Sequence, residues 1–221
     1  MASFRSTSRR RSSIQRTLII AAFVWCGVVF FGIYKLSWNL KTNQVTLHLS
    51  LHPPVDIRLE LFAKEAPDAT RFIKEISNQK CNDCNLYRAE PVPDYWGSPD
   101  YPDTWFDGGR WGPPYALLQG QFQKGEHIRN ASPENHRPII ERGMVAWAGG
   151  MGGPHFFIAL ADHPEWQHDH TVWAKVLDKD MLKVDLLLQR PLKKITPKRP
   201  PNLSYFVEPI DFGVSLVMSS F

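Results

Sequence analysis

The sequence predicts a mainly β chain that folds as one barrel with helical caps, and three observations lead there. Short apolar or alternating runs at 45–51, 57–62, 117–122, 144–148, 156–160 and 171–176 are separated by Gly, Pro and Asn, the pattern of strands joined by turns. Helical signals are sparse and fall in two stretches, 66–77 and 180–189. Once the N-terminal region is set aside, roughly 180 residues remain, a length compatible with one domain and a sizeable core.

Before the barrel, residues 1–16 carry Arg5, Arg9, Arg10, Arg11 and Arg16 with no acidic residue, and residues 17–34 carry no charge. At ~1.5 Å per residue that apolar run nearly spans a ~30 Å hydrocarbon core. The positive-inside tendency puts the arginines in the cytosol. The expected organisation is therefore a basic cytosolic tail over 1–16, a transmembrane signal-anchor helix in the lipid bilayer over 17–38, and a luminal domain over 39–221. This describes a single-pass type II membrane protein of the Golgi or endoplasmic reticulum. A cleaved signal peptide is the rival reading. The run is longer than a usual h-region, however, and no small-x-small pattern follows Tyr34.

Within the domain, the helix at 66–77 has Pro67 in its first turn and Phe72, Ile73 and Ile76 on one face, as expected of a helix covering the end of a barrel. The C-terminal segment, with Pro191, Pro197, Pro200 and Pro201, reads as a basic proline-rich turn, followed over 205–216 by a last strand or two. Two sequons, at Asn130 and Asn202, agree with a glycosylated luminal domain. Cys26 lies in the anchor, and an oxidising lumen allows a disulfide between Cys81 and Cys84.

The net charge of +4 owes much to the tail arginines. No stripe of basic residues interleaved with aromatics follows, so the sequence offers no nucleic-acid surface. His163, His168, Asp169 and His170 match no closed zinc spacing, and neither a metal nor another cofactor is expected. No Gly-x-Ser-x-Gly elbow marks a nucleophilic serine.

Four segments carry a family pattern. They are Leu59-Glu60-Leu61-Phe62-Ala63-Lys64-Glu65-Ala66-Pro67, the pair Leu86-Tyr87-Arg88 and Leu117-Leu118-Gln119-Gly120, and the stretch from Gly143 to Val176 with its Pro154-His155-Phe156-Phe157-Ile158 and His170-Thr171-Val172-Trp173-Ala174-Lys175-Val176. Together they resemble the cyclophilin family of peptidyl-prolyl cis-trans isomerases. That resemblance implies a closed eight-stranded β-barrel capped by two helices, acting on proline-containing polypeptides in the secretory-pathway lumen.

It also implies the site. Arg88 stands at the catalytic arginine position, and Gln119 at that of the glutamine that binds substrate backbone and steadies the arginine. Leu117, Phe157 and His170 stand where the family lines its proline pocket. Trp166 matches the tryptophan at the pocket rim, which in this family also contacts cyclosporin, so a cyclosporin-type ligand is implied. Ala148 and Gly149 fall where backbone is presented to substrate, and His155 replaces the usual glutamine.

The chemistry demanded of such a site is modest, because the task is to twist one amide against a barrier of ~18–20 kcal/mol. A 10⁵-fold acceleration needs about 7 kcal/mol of transition-state stabilisation. An apolar pocket for the ring and a cation donating hydrogen bonds as amide resonance is lost are the sources at hand.

Several departures weigh against full activity. Thirty residues separate Arg88 from Gln119, where a cyclophilin has a short link. This aromatic, Pro- and Gly-rich insertion, about 90–115, enters beside the cleft. Ala116 replaces the usual pocket phenylalanine, with Tyr115 as a candidate substitute. The alternative function is thus a catalytically weak or inactive binding module for proline-containing peptides or glycans.

Overall fold

The computed structural model describes residues 43–77, 79, 81, 83–93, 115–122, 139–150, 152–195 and 203–217. The expected anchor over 17–38, Asn130, Asn202 and most of the 90–115 insertion lie outside the described residues. Among those described, no helix is long and apolar enough to cross a membrane.

In chain order the elements are β1 (Gln44–Leu49), β2 (Val55–Leu61), α1 (Pro67–Ser77), β3 (Asn85–Glu90), β4 (Leu117–Gln121), β5 (Met144–Trp147), β6 (His155–Ala159), β7 (Val172–Val176), α2 (Met181–Leu187), β8 (Leu192–Ile195) and β9 (Leu203–Leu216). Hydrogen bonding runs β1-β2-β7-β5-β6-β4-β3-β9, and β9 pairs back onto β1. Eight antiparallel strands therefore close into a barrel. Closure removes every unpaired edge from the ring.

β8 stands outside that ring as a hairpin partner of β9, from Leu192↔Phe206 to Ile195↔Leu203. The sequence reading of this segment as a turn is corrected here. Its Lys193 and Lys194 and its flanking prolines hide a strand because an edge strand needs no apolar alternation, and exposed lysines guard it against further pairing.

Inward-facing alternate residues fill the barrel. Phe122 stacks on Phe156 with centroids 4.6 Å apart, and Trp147 lies 5.1 Å from Trp173. Both helices contribute to the same core. α1 buries Ala69, Thr70, Ile73 and Ile76, spaced as one helical face, and α2 buries Val184 and Leu187. Phe72 meets Phe122 and Trp147 edge-on. Asp180, 1% exposed, ties α2 to β2. Its carboxylate accepts from Arg58 Nε at 2.7 Å, Arg58 Nη2 at 2.8 Å and the Arg58 backbone N–H at 3.0 Å.

One glycine is required by packing. A Cβ on Gly120 would stand 2.8 Å from the Asn85 carbonyl and 2.9 Å from Phe156. Directly across this close approach, β3 carries a bulge: Leu86 pairs with Gly120 and Arg88 with Gln119, which leaves Tyr87 as the extra residue. A regular strand would send Tyr87 and Arg88 to opposite faces. The bulge turns both toward one cleft.

Candidate active site

A cleft of about 670 Å³ opens on the outer face of β3, β4 and β6, between the ends of the loops around them. Arg88, Gln119, Leu117, Ala148, Gly149, His155, Phe157, Trp166 and His170 all line it, together with Tyr87, Tyr115, Gly150 and Asp169. Its apolar base is a second cluster, separate from the barrel core, formed by Leu117, Ile140, Met144, Ala146, Phe157, Ala159, Trp166 and Val172. The alternation of β6 explains the division. Phe156 enters the barrel core while its neighbour Phe157 faces the cleft.

Phe157 is framed edge-to-face by Trp166, at 5.4 Å and 83°, and by His170, at 5.2 Å and 86°. His170 Nδ1 lies 3.0 Å from the Trp147 carbonyl. A carbonyl only accepts, so Nδ1 carries the proton and the ring is fixed as a pocket wall. Trp166 lines the cleft. It is 2% exposed, and its ring stacks on His163 at 3.6 Å and 1°.

His163 itself, outside the named strands and helices, is fully buried. Nδ1 meets Glu165 Oε1 at 2.7 Å, and Nε2 faces the Ala116 carbonyl at 3.4 Å. It therefore braces the pocket from behind, linking the Trp166 wall to the start of β4. Ala116 packs in the barrel core cluster. Tyr115 takes the cleft side instead.

The Arg88 guanidinium is held from three directions. Nε donates to Glu90 Oε1 at 3.0 Å, Nη1 donates to Gln119 Oε1 at 2.9 Å, and the guanidinium carbon lies 4.5 Å from the Tyr115 ring centroid. The Arg88 and Glu90 side chains are 12% and 14% exposed. Glu90 also accepts from the Ser204 N–H at 2.8 Å, which fastens β3 to β9. Arg88 Nη2 is buried and has no hydrogen-bond partner among the described residues. Burial raises the Tyr115 phenol above its ordinary value, so the ring under the guanidinium is neutral.

At the opposite side Tyr87 stacks on Tyr205 at 6.2 Å, and its hydroxyl lies 3.1 Å from His155 Nδ1. Burial pushes the Tyr87 phenol up to about 12, so the hydroxyl keeps its proton and is free to donate. Ala148 and Gly149 close the mouth. The Ala148 N–H donates to the His155 carbonyl at 2.9 Å, and Gly149 has a φ of 102° that favours glycine. Cys81 and Cys84 lie just before β3 with Cα atoms 5.7 Å apart, within the reach of a disulfide.

Two supporting roles escaped sequence reasoning. Glu90 lies two residues after Arg88 on one strand, a spacing that places both on the same face and could have flagged it. His163 carried no such signal, because its partners come from distant segments.

Residues 45–202 match the family model described as cyclophilin type peptidyl-prolyl cis-trans isomerase. No curated protein matches the chain. Among solved structures, a Cryptosporidium parvum cyclophilin type peptidyl-prolyl cis-trans isomerase shares the fold. It has a TM-score of 0.52 and 14% identity over 80% of this chain and 99% of that one. A second structure of that protein, determined in the presence of the dipeptide Ala-Pro, gives 0.50 and 13% over the same shares. With a family model spanning most of its length and a closed barrel of the same fold, the chain belongs to the cyclophilin-type peptidyl-prolyl cis-trans isomerases.

Proposed function

We propose that the cleft twists X-Pro amides with Arg88 as its working cation. The observation that carries this reading is the guanidinium itself, anchored through Nε and Nη1 while the buried Nη2 has no partner among the described residues. A buried unpaired donor is costly to keep, about 1–3 kcal/mol, and a ligand acceptor relieves that cost. The proline ring rests on Phe157 and Leu117. Gln119 takes the substrate backbone, and Nη2 donates to the amide as its resonance is lost, where a fixed donor is worth most. The substrates are proline-containing polypeptides, and the Trp166–Phe157 wall is the contact for a cyclosporin-type ligand.

The reading extends to cellular setting. The Cys81–Cys84 pair, within disulfide reach, fits an oxidising compartment, and the charge-free run after the tail arginines supports a bilayer anchor over 17–38 with residues 39–221 in the secretory lumen.

The test is cis/trans exchange in a short X-Pro peptide, measured by exchange spectroscopy with the purified full chain and with Arg88→Ala. Acceleration lost in Arg88→Ala supports the reading. A folded wild-type chain that leaves the exchange rate unchanged overturns it and favours a binding module for proline-containing peptides.

A further inference from the structure

A second site stands on the outside of the barrel, on strands that contribute no residue to the lining of the proline cleft. His48 on β1 lies beside Asp56 on β2, and Ser215 comes from β9 on the other flank. His48 Nδ1 is 2.8 Å from Asp56 Oδ1, and His48 Nε2 is 2.7 Å from Ser215 Oγ. Asp56 and His48 are directly paired across the ladder. Ser215 is the diagonal neighbour, two residues from Gly213, which pairs with His48. We propose that Ser215, His48 and Asp56 form a nucleophilic serine site that accepts acyl groups from small activated esters.

The argument rests on proton placement. An ionised Asp56 only accepts, so in the neutral imidazole Nδ1 bears the hydrogen. Nε2 is then bare and accepts the Ser215 hydroxyl. That is the tautomer a general base needs to take the serine proton. The partners are 8 and 167 residues apart in sequence, so no local motif could announce them.

His48 and Asp56 side chains are 47% and 57% exposed and Ser215 is half-buried. Among the described residues, a Cβ built on Gly213, which pairs with His48, would meet nothing within 4 Å, so that side of the site leaves room for an ester.

In the step, Ser215 Oγ bonds to the ester carbonyl carbon, its proton passes to His48 Nε2, and Asp56 steadies the imidazolium. The carbon–oxygen bond to the leaving alcohol or phenol then breaks, and His48 returns the proton to it.

The neighbouring backbone N–H of Val217 is spent on the Gln44 carbonyl at 3.0 Å, and the β1–β9 ladder occupies the strand. A developing oxyanion is therefore solvated by water, which forfeits about 10²–10³ in rate per missing donor. This restricts the site to esters with good leaving groups.

The full chain is incubated with p-nitrophenyl acetate, and acetylation is followed by intact mass and peptide mapping. The same is done with Ser215→Ala, His48→Gln and Asp56→Asn, and circular dichroism checks that each is folded. The expected result is one acetyl group on Ser215, absent in Ser215→Ala and formed at least about 10-fold more slowly in His48→Gln and Asp56→Asn. Acetyl groups on lysine or tyrosine alone, no labelling, or less than 10-fold slowing in both folded variants overturns the proposal.

Discussion

Removing the Glu90 carboxylate tests whether Arg88 works because it is held in place. Glu90 accepts two buried hydrogen bonds, from Arg88 Nε at 3.0 Å and from the Ser204 N–H at 2.8 Å. Glu90→Ala leaves both donors unpaired beside a guanidinium that is only 12% exposed. At about 1–3 kcal/mol per stranded donor, the expected loss of stability is about 2–6 kcal/mol. Glu90→Gln keeps an acceptor but loses its charge. A charge-assisted bond is about twice as strong as a neutral one, so that variant should lose only about 1 kcal/mol. In catalysis the guanidinium of Glu90→Ala is held only by Gln119 and the Tyr115 ring, and a misplaced donor is expected to lower kcat/KM by about 10–100-fold. Glu90→Gln should fall by about 5-fold, corresponding to about 1 kcal/mol of lost orientation. Urea unfolding gives the stabilities and exchange spectroscopy the rates, both on the full chain. A folded Glu90→Ala chain with wild-type kcat/KM would refute the reasoning, because the donor would then need no anchoring.

Three further outcomes follow from the geometry. Asp180→Asn should destabilise the fold by about 2–3 kcal/mol by cutting a buried, charge-assisted tie. Hydrogen bonds from Arg58 hold the Asp180 carboxyl well below the usual range, so this contribution is present above about pH 4 and is lost as pH falls below the carboxylate range. Acid unfolding of wild type and variant should therefore converge at low pH. Tyr87 acts in the opposite direction. Its phenol is held at about 12, so the folded state keeps a proton that the unfolded chain releases near pH 10, and stability falls as pH rises between those values. Tyr87→Phe should flatten that alkaline limb in unfolding curves. Gly120→Ala would drive a methyl to 2.8 Å from the Asn85 carbonyl, and should cost about 1–3 kcal/mol or more by overpacking, read as a lowered Tm.

Much of the barrel was legible because strand alternation and turn residues are local signals. The runs at 57–62 and 171–176 lie on β2 and β7, and Pro67 begins α1. β8 was not legible, since its exposed edge position demands no apolar periodicity. Family motifs named nine cleft residues, which gather in one cavity. Sequence alone could not give the bulge that turns Tyr87 and Arg88 the same way, the place of Ala116 in the barrel core cluster, or the burial of His163.

By itself the sequence determined the class of fold, the family, and the residue types available for proline binding, because periodicity and motifs are written in neighbouring positions. Tertiary structure alone decided that Glu90 and Tyr115 join Gln119 in bracing Arg88, and which donor has no partner among the described residues. It also decided that His48, Asp56 and Ser215 meet. Those outcomes depend on register between strands that are distant in the chain, and a shift of one residue would send each of these side chains to the opposite face.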